Sequence, residues 1–179
     1  MRAADALILV AALLVAGCGR PPPDEAQQGV DAGNPLEIAA RERGIVRPEA
    51  QAPTGVFERS HDLGRDAMCV VPDGAGRWRF VVTAAFGPGL ACTASGQMVR
   101  EQDGWRMRFP AAEGCEALVH EEEDELRLPG NLPPQCDSLC PDRASLSGLR
   151  LPRASWSEAD AKRLQIRDRQ GNMIRPCGS

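Results

Sequence analysis

The chain has 179 residues and a formal net charge of -4, with Lys+Arg 21 and Asp+Glu 25 interspersed along it. That balance leaves no basic stripe, so no nucleic-acid partner is expected. The hydrophobic share is 42%, and Gly 18 with Pro 15 demands many turns. With Tyr 0, Trp 3 and Phe 4, a core must come mainly from Val, Leu, Ile, Ala and cystine. Lys162 is the sole lysine, which reflects a coding bias toward arginine rather than a function.

Met1-Arg2 is a thin positive start, and Ala6 to Val15 is an unbroken apolar run. The run is too short to span a bilayer and suits the core of a signal peptide. Val15-Ala16-Gly17-Cys18 then places an aliphatic residue and two small residues directly before a cysteine. This resembles the lipobox of bacterial lipoproteins. The resemblance implies a signal peptide at 1–17, cleavage before Cys18, and acylation of Cys18 with palmitate-like chains. Such chains anchor a domain at about 0.8 kcal/mol per buried methylene. The membrane is therefore the first expected partner. The expected address is the cell envelope, lipid-anchored and facing the periplasm. Gly19 after the cysteine favours the outer membrane, by similarity to enteric sorting.

Residues 18–33 carry the lipidated cysteine and a polar, Pro-rich stretch with the composition of a disordered tether. Asn34-Pro35-Leu36-Glu37 signals a short helix, with Asn34 as cap and Pro35 at the first helical position. This helix and a linker fill 34–53. Residues 54–179 read as a disulfide-stabilised β domain. Val56-Phe57, Ala67 to Pro72, Arg77 to Phe86 and Ala91 to Glu101 are expected strands, separated by Gly- and Asp-containing turns. Trp105, Met107 and Phe109 alternate with Arg106 and Arg108, so the aromatic face points to the core. Ala117 to Val119 and Leu126 to Leu128 flank an acidic tip, Glu121 to Glu125, read as a solvated hairpin end. Ser145 to Pro152 adds a possible strand, Ser155 opens a short helix running to about Leu164, and a hairpin closes the chain. The whole is mainly β: a small antiparallel meander barrel or sandwich of roughly seven strands, with one short N-terminal and one short C-terminal helix.

Beyond Cys18 there are six cysteines: Cys69, Cys92, Cys115, Cys136, Cys140 and Cys177. An even number in an oxidising compartment reads as a disulfide framework. If the turn at Gln102-Asp103 pairs Glu101 with Gly104, Cys92 faces position 113 and Cys115 lies diagonal to it. Cys92 to Cys115 is thus the expected bridge. Cys69 should sit opposite position 81. Cys69, Cys136, Cys140 and Cys177 then remain, and spacing does not order them: Cys69 and Cys177 are the favoured partners of Cys136 and Cys140, a Cys136–Cys140 loop would be short and strained, and Cys177 is placed to clamp the C-terminal hairpin.

The chemistry-bearing motifs are few. Cys136-Asp137-Ser138-Leu139-Cys140-Pro141 superficially resembles the C-x3-C-P motif of Sco-type copper-delivery proteins. That resemblance implies a downstream histidine ligand, and here His61 and His120 both precede the motif. Neither a metal nor a cofactor is expected. Two histidines are few for a hydrolytic triad, and Ser145 and Ser147 sit in a turn-like RASLSG context. No catalytic residue stands out and no enzyme is expected. Thr93-Ala94-Ser95-Gly96 through Trp105 is weakly similar to the Ser-Gly loop and aromatic strand of membrane-bound c-type lysozyme inhibitors. That similarity implies an inhibitory role for Ser95. The body also resembles small cysteine-containing envelope lipoproteins of GC-rich proteobacteria. The leading expectation is a non-enzymatic envelope module that binds a protein, glycan or small ligand. Hydrolase inhibition and copper delivery through Cys136 and Cys140 are the alternatives.

Overall fold

A computed structural model describes residues 35–43, 52–102, 104–168 and 171–178. The expected signal peptide, Cys18, the tether, Asn34 and most of the linker lie outside the described residues. The chain divides at 35/36, and the fold below belongs to 36–179. A helix, α1, covers Pro35–Glu42, with Leu36 and Ile38 exposed.

The body is a closed antiparallel barrel of eight strands in sequence order. They are β1 (Gly55–His61), β2 (Gly64–Pro72), β3 (Arg77–Ala85), β4 (Ala91–Glu101), β5 (Gly104–Arg108), β6 (Glu116–Glu122), β7 (Glu125–Arg127) and β8 (Arg150–Ser155). Each strand pairs with the next, so the sheet is a pure meander until β8 returns to β1. Eight strands leave an interior just wide enough for side chains to fill. Phe57, Met68, Phe80, Met98, Trp105 and Leu126 fill it, each at 1% exposure or less. Phe80 and Phe109 meet edge to face at 5.3 Å, and Trp78 and Trp105 at 5.1 Å. Each such pair adds about 1 kcal/mol beyond its buried area. Arg106 and Arg108 point outward and pair with Glu101 and Glu116.

The seam where β8 meets β1 contains a bulge between Val56 and Phe57. Arg153 closes it. Its side chain is 1% exposed and lies between the rings of Phe57 (4.1 Å) and Trp156 (3.6 Å). It donates to the Thr54 carbonyl at 2.8 Å and to Glu121. The acidic tip is therefore not wholly solvated. Glu121 shares the inward face of Ala117 and Val119 and holds this buried guanidinium, while Glu122 and Glu125 pair with Arg127.

Residues 128–149, between β7 and β8, fold over one end of the barrel. A short 3-10 helix, Pro134–Leu139, sits there, and Leu139, Leu146 and Leu149 enter the core. Two bridges pin it, Cys92–Cys140 and Cys115–Cys136. The third is Cys69–Cys177. The expected Cys92–Cys115 bridge is thus wrong, as is the joining of Cys136 and Cys140 to Cys69 and Cys177. The β4–β5 register was read correctly, with Glu101 opposite Gly104. It ends at Arg108, however. The chain then turns through 109–115, where Phe109 donates to the Cys115 carbonyl. Extrapolating the ladder to position 113 therefore fails, and the long loop supplies a nearer partner to each cysteine. The added strand after the loop is Arg150–Ser155 rather than Ser145 to Pro152.

A second, outer layer covers part of the barrel. Helix α2 (Glu158–Arg163) is capped by Ser157, whose hydroxyl accepts from the Asp160 N–H. Ala161, Leu164 and Ile166 pack against Val56, Ala67, Cys69 and Val71. The hairpin β9 (Ile166–Arg167) and β10 (Met173–Ile174) follows. β2 is thereby buried on both faces, which explains its continuous apolar run Ala67 to Val71.

Gly96 marks where β4 passes closest to β5. A Cβ there would lie 1.9 Å from the Arg108 carbonyl oxygen and 3.0 Å from the Phe80 ring. Gly96→Ala is expected to destabilise the barrel by about 3 kcal/mol, read as a lowered denaturation midpoint. A change within error would show that β4 and β5 separate freely.

Candidate functional site

Two features meet at the end of the barrel near the β1–β2 turn. The first is a polar hub inside the mouth. Asp66 shares the face of Met68 and Val70, while Arg59 and His61 share that of Phe57. Arg59 stands directly opposite Asp66 in the ladder. The Asp66 carboxylate is 2% exposed. It accepts from Arg59 Nη2 at 2.8 Å, His61 Nε2 at 3.0 Å and the Ala85 backbone N–H at 2.9 Å. The hub therefore ties the β1–β2 hairpin to the end of β3. The Leu63 N–H donates to His61 Nδ1 at 3.3 Å. That fixes the tautomer with the proton on Nε2, facing Asp66. Both ring nitrogens are engaged within the hairpin, so His61 serves here as a fastening rather than as a base.

Burial alone would raise the Asp66 carboxyl. Hydrogen bonds from His61, Ala85 and Arg59 outweigh it and hold the group below the usual carboxylate range.

The second feature is a groove of about 740 Å³ on the outer face. Its floor is small: Ala67 from β2, Thr83 and Ala85 from β3, and Ala91 from β4. These residues face outward by the alternation that sends Met68, Ala84 and Cys92 inward. Ala67 is opposite Thr83, and Ala85 opposite Ala91, so the floor is one continuous patch of sheet. The Thr83 and Thr93 hydroxyls bond to each other at 3.0 Å. Gly64 extends the floor, and a Cβ there would stand 2.7 Å from that of Ala85.

The walls come from sequence-distant segments. Ile166, Arg167 and Met173 of the C-terminal hairpin form one wall, and Leu90 and Pro141 the other. Cys69–Cys177 and a hydrogen bond from Arg79 to the Pro176 carbonyl (3.1 Å) fix the tail on the sheet. Cys92–Cys140 brings Pro141 to the rim. Among the described residues, three charged ones line the groove: Arg65, Arg167 and Asp168. Arg65 pairs with Glu58, Arg167 donates to the Gly171 carbonyl at 3.0 Å, and Asp168 accepts from Asn172.

The residues singled out from the sequence are mostly elsewhere. Cys136 and Cys140 hold separate bridges, and their sulfurs carry no free thiol. Among the described residues, no group of three or more His, Cys, Asp or Glu could hold a metal ion. Ser95 is exposed in the middle of β4, a strand rather than a loop, and Trp105 is in the core. Ser145 Oγ accepts from the Ser147 N–H in a turn. Sequence reasoning missed the Arg59–Asp66 pair. The signal was there, because a turn at 61–64 sets Arg59 opposite Asp66. It also missed the groove, whose floor of alanines and threonine carries no motif.

Compared with protein-family models, curated proteins and solved structures, the chain matches none of them.

Asp66→Asn should cost about 2 kcal/mol at neutral pH, since a charged acceptor is lost. The wild-type carboxyl lies below its unfolded value, so its contribution is full above the unfolded value and fades as pH falls through the folded one. Denaturation at a series of acidic pH values should therefore give a flatter curve for the variant. Parallel curves would show that Asp66 is not the titrating hub.

Proposed function

We propose that this chain is a membrane-anchored bacterial lipoprotein whose barrel is a non-enzymatic binding module of the cell envelope. The observation that carries the binding part is the outer-face groove. The barrel interior is lined by its own buried core side chains. The groove, in contrast, is of the size that holds small ligands, with apolar walls and few polar groups. It is also braced by covalent links, which keep it formed in the absence of a ligand.

The anchoring part rests on Val15-Ala16-Gly17-Cys18, and with it the periplasm-facing, outer-membrane address. Three disulfides fit an oxidising compartment. A short helix before the barrel and another after it complete the proposed layout of tether, linker and domain.

Two measurements test the two parts separately. Cys18→Ser should move the protein from the membrane to the soluble fraction and remove the acyl mass. A variant that stays acylated refutes the anchor. For the groove, Ala91→Trp places an indole at an exposed floor position. Native mass spectrometry of protein isolated from its own cells should show a bound species in the wild type that this variant lacks. Identical bound masses in both would refute the groove as the binding site.

A further inference from the structure

We infer that the groove takes a long-chain fatty carboxylate, its hydrocarbon tail along the alanine floor and its head at Arg167. This rests on the binding reading above and names the ligand class.

The tail half follows from the lining. Ala67, Ala85 and Ala91 give the floor an apolar surface, its Thr83 hydroxyl bonds to Thr93, and the polar side chains Arg65, Gln165, Arg167 and Asp168 complete the lining. A glycan or polar peptide would have to surrender its water here for few hydrogen bonds in return. A hydrocarbon chain loses nothing by that transfer. The hairpin also carries exposed apolar side chains. Met173 is 52% exposed and lines the wall, and Ile174 beside it is 39% exposed.

The head half follows from charge. Arg65 is taken by Glu58, through Nε at 3.0 Å and through Nη2. Asp168 is folded back on Asn172, through the N–H at 2.8 Å and Nδ2 at 3.2 Å. Arg167 is exposed, and among the described residues its guanidinium donates to the neutral Gly171 carbonyl through Nη1. Its other N–H donors form the fork that a carboxylate head matches bidentately.

The test uses the full chain in phosphatidylcholine vesicles with a photoactivatable palmitate and the matched hexadecanol probe. After irradiation, peptide mapping should place palmitate adducts on the strands around Ala85 and Ala91 and on the hairpin around Met173. Palmitate should label about tenfold more than the alcohol, as expected for a charge-assisted head contact. Ala91→Trp should lower the yield by about that factor, while Ser95→Trp, on the same strand but outside the groove, should not. Arg167→Gln should erase the preference for acid over alcohol, and Arg167→Lys, which keeps the charge but loses the bidentate fork, should keep only part of it. Equal labelling by the alcohol, adducts scattered over the barrel, or an unchanged yield in Ala91→Trp would each overturn the assignment. A non-acidic species bound in the native mass spectrum would overturn it too, while leaving the groove as the binding site.

Discussion

The constraint on which the rest of the molecule depends is that β2 must be covered twice. Its inward residues, Met68 and Val70, are part of the barrel core, and its outward residues, Ala67, Cys69 and Val71, are equally apolar. A barrel wall of that kind is unstable in water unless something lies across it. Helix α2 and the following chain do so, and Cys69–Cys177 makes the cover permanent. The groove exists because that cover stops short. It stands over the middle of β2 and leaves the ends of β2, β3 and β4 open, where the side chains shrink to alanine, threonine and glycine. Groove and structural cover are thus two parts of one outer layer.

The ends of the barrel are managed by two unlike devices. At the seam, a buried arginine between two rings spans β1, β6 and β8. A charge so placed is tolerated because its neighbours include a carboxylate, a carbonyl and two ring faces. At the other end, a loop with little regular structure lies across the opening. Hydrophobic contacts alone would hold such a segment loosely, since it contributes no ladder hydrogen bonds to the sheet. Two disulfides replace them. They restrict the chain whether or not the local packing is tight, which suits a domain with few aromatic residues.

Much of the barrel was legible in the sequence, because period-two alternation and Gly/Asp turns are local signals. Trp105-Arg106-Met107-Arg108-Phe109 told its own faces, and the turn near 102–103 fixed the β4–β5 register. What failed was everything that depended on where the chain leaves the ladder. Cys115 was assigned by continuing β5 past Arg108, whereas the strand ends there. The acidic tip was read as solvated because Arg153 lies 32 residues away from Glu121 in sequence. The groove was invisible for a related reason. Its floor joins three strands and its walls two distant loops, and its residues are ordinary ones for a sheet surface.

The three bridges have a consequence for how the protein is made. They are nested: Cys115–Cys136 lies within Cys92–Cys140, which lies within Cys69–Cys177, at sequence separations of 21, 48 and 108. On the proposed address, a chain delivered from its N-terminus into an oxidising space would present Cys69 and Cys92 together, before either native partner has arrived. Joining them would be the fastest reaction and the wrong one. Cys92 must wait for Cys140, and Cys69 for Cys177, which follows every other bridged cysteine. Correct assembly therefore calls for slow oxidation or for reshuffling of early bridges, a process that takes seconds to hours and is governed by the isomerase present. The pairing that completes the groove is also the last that the chain can form.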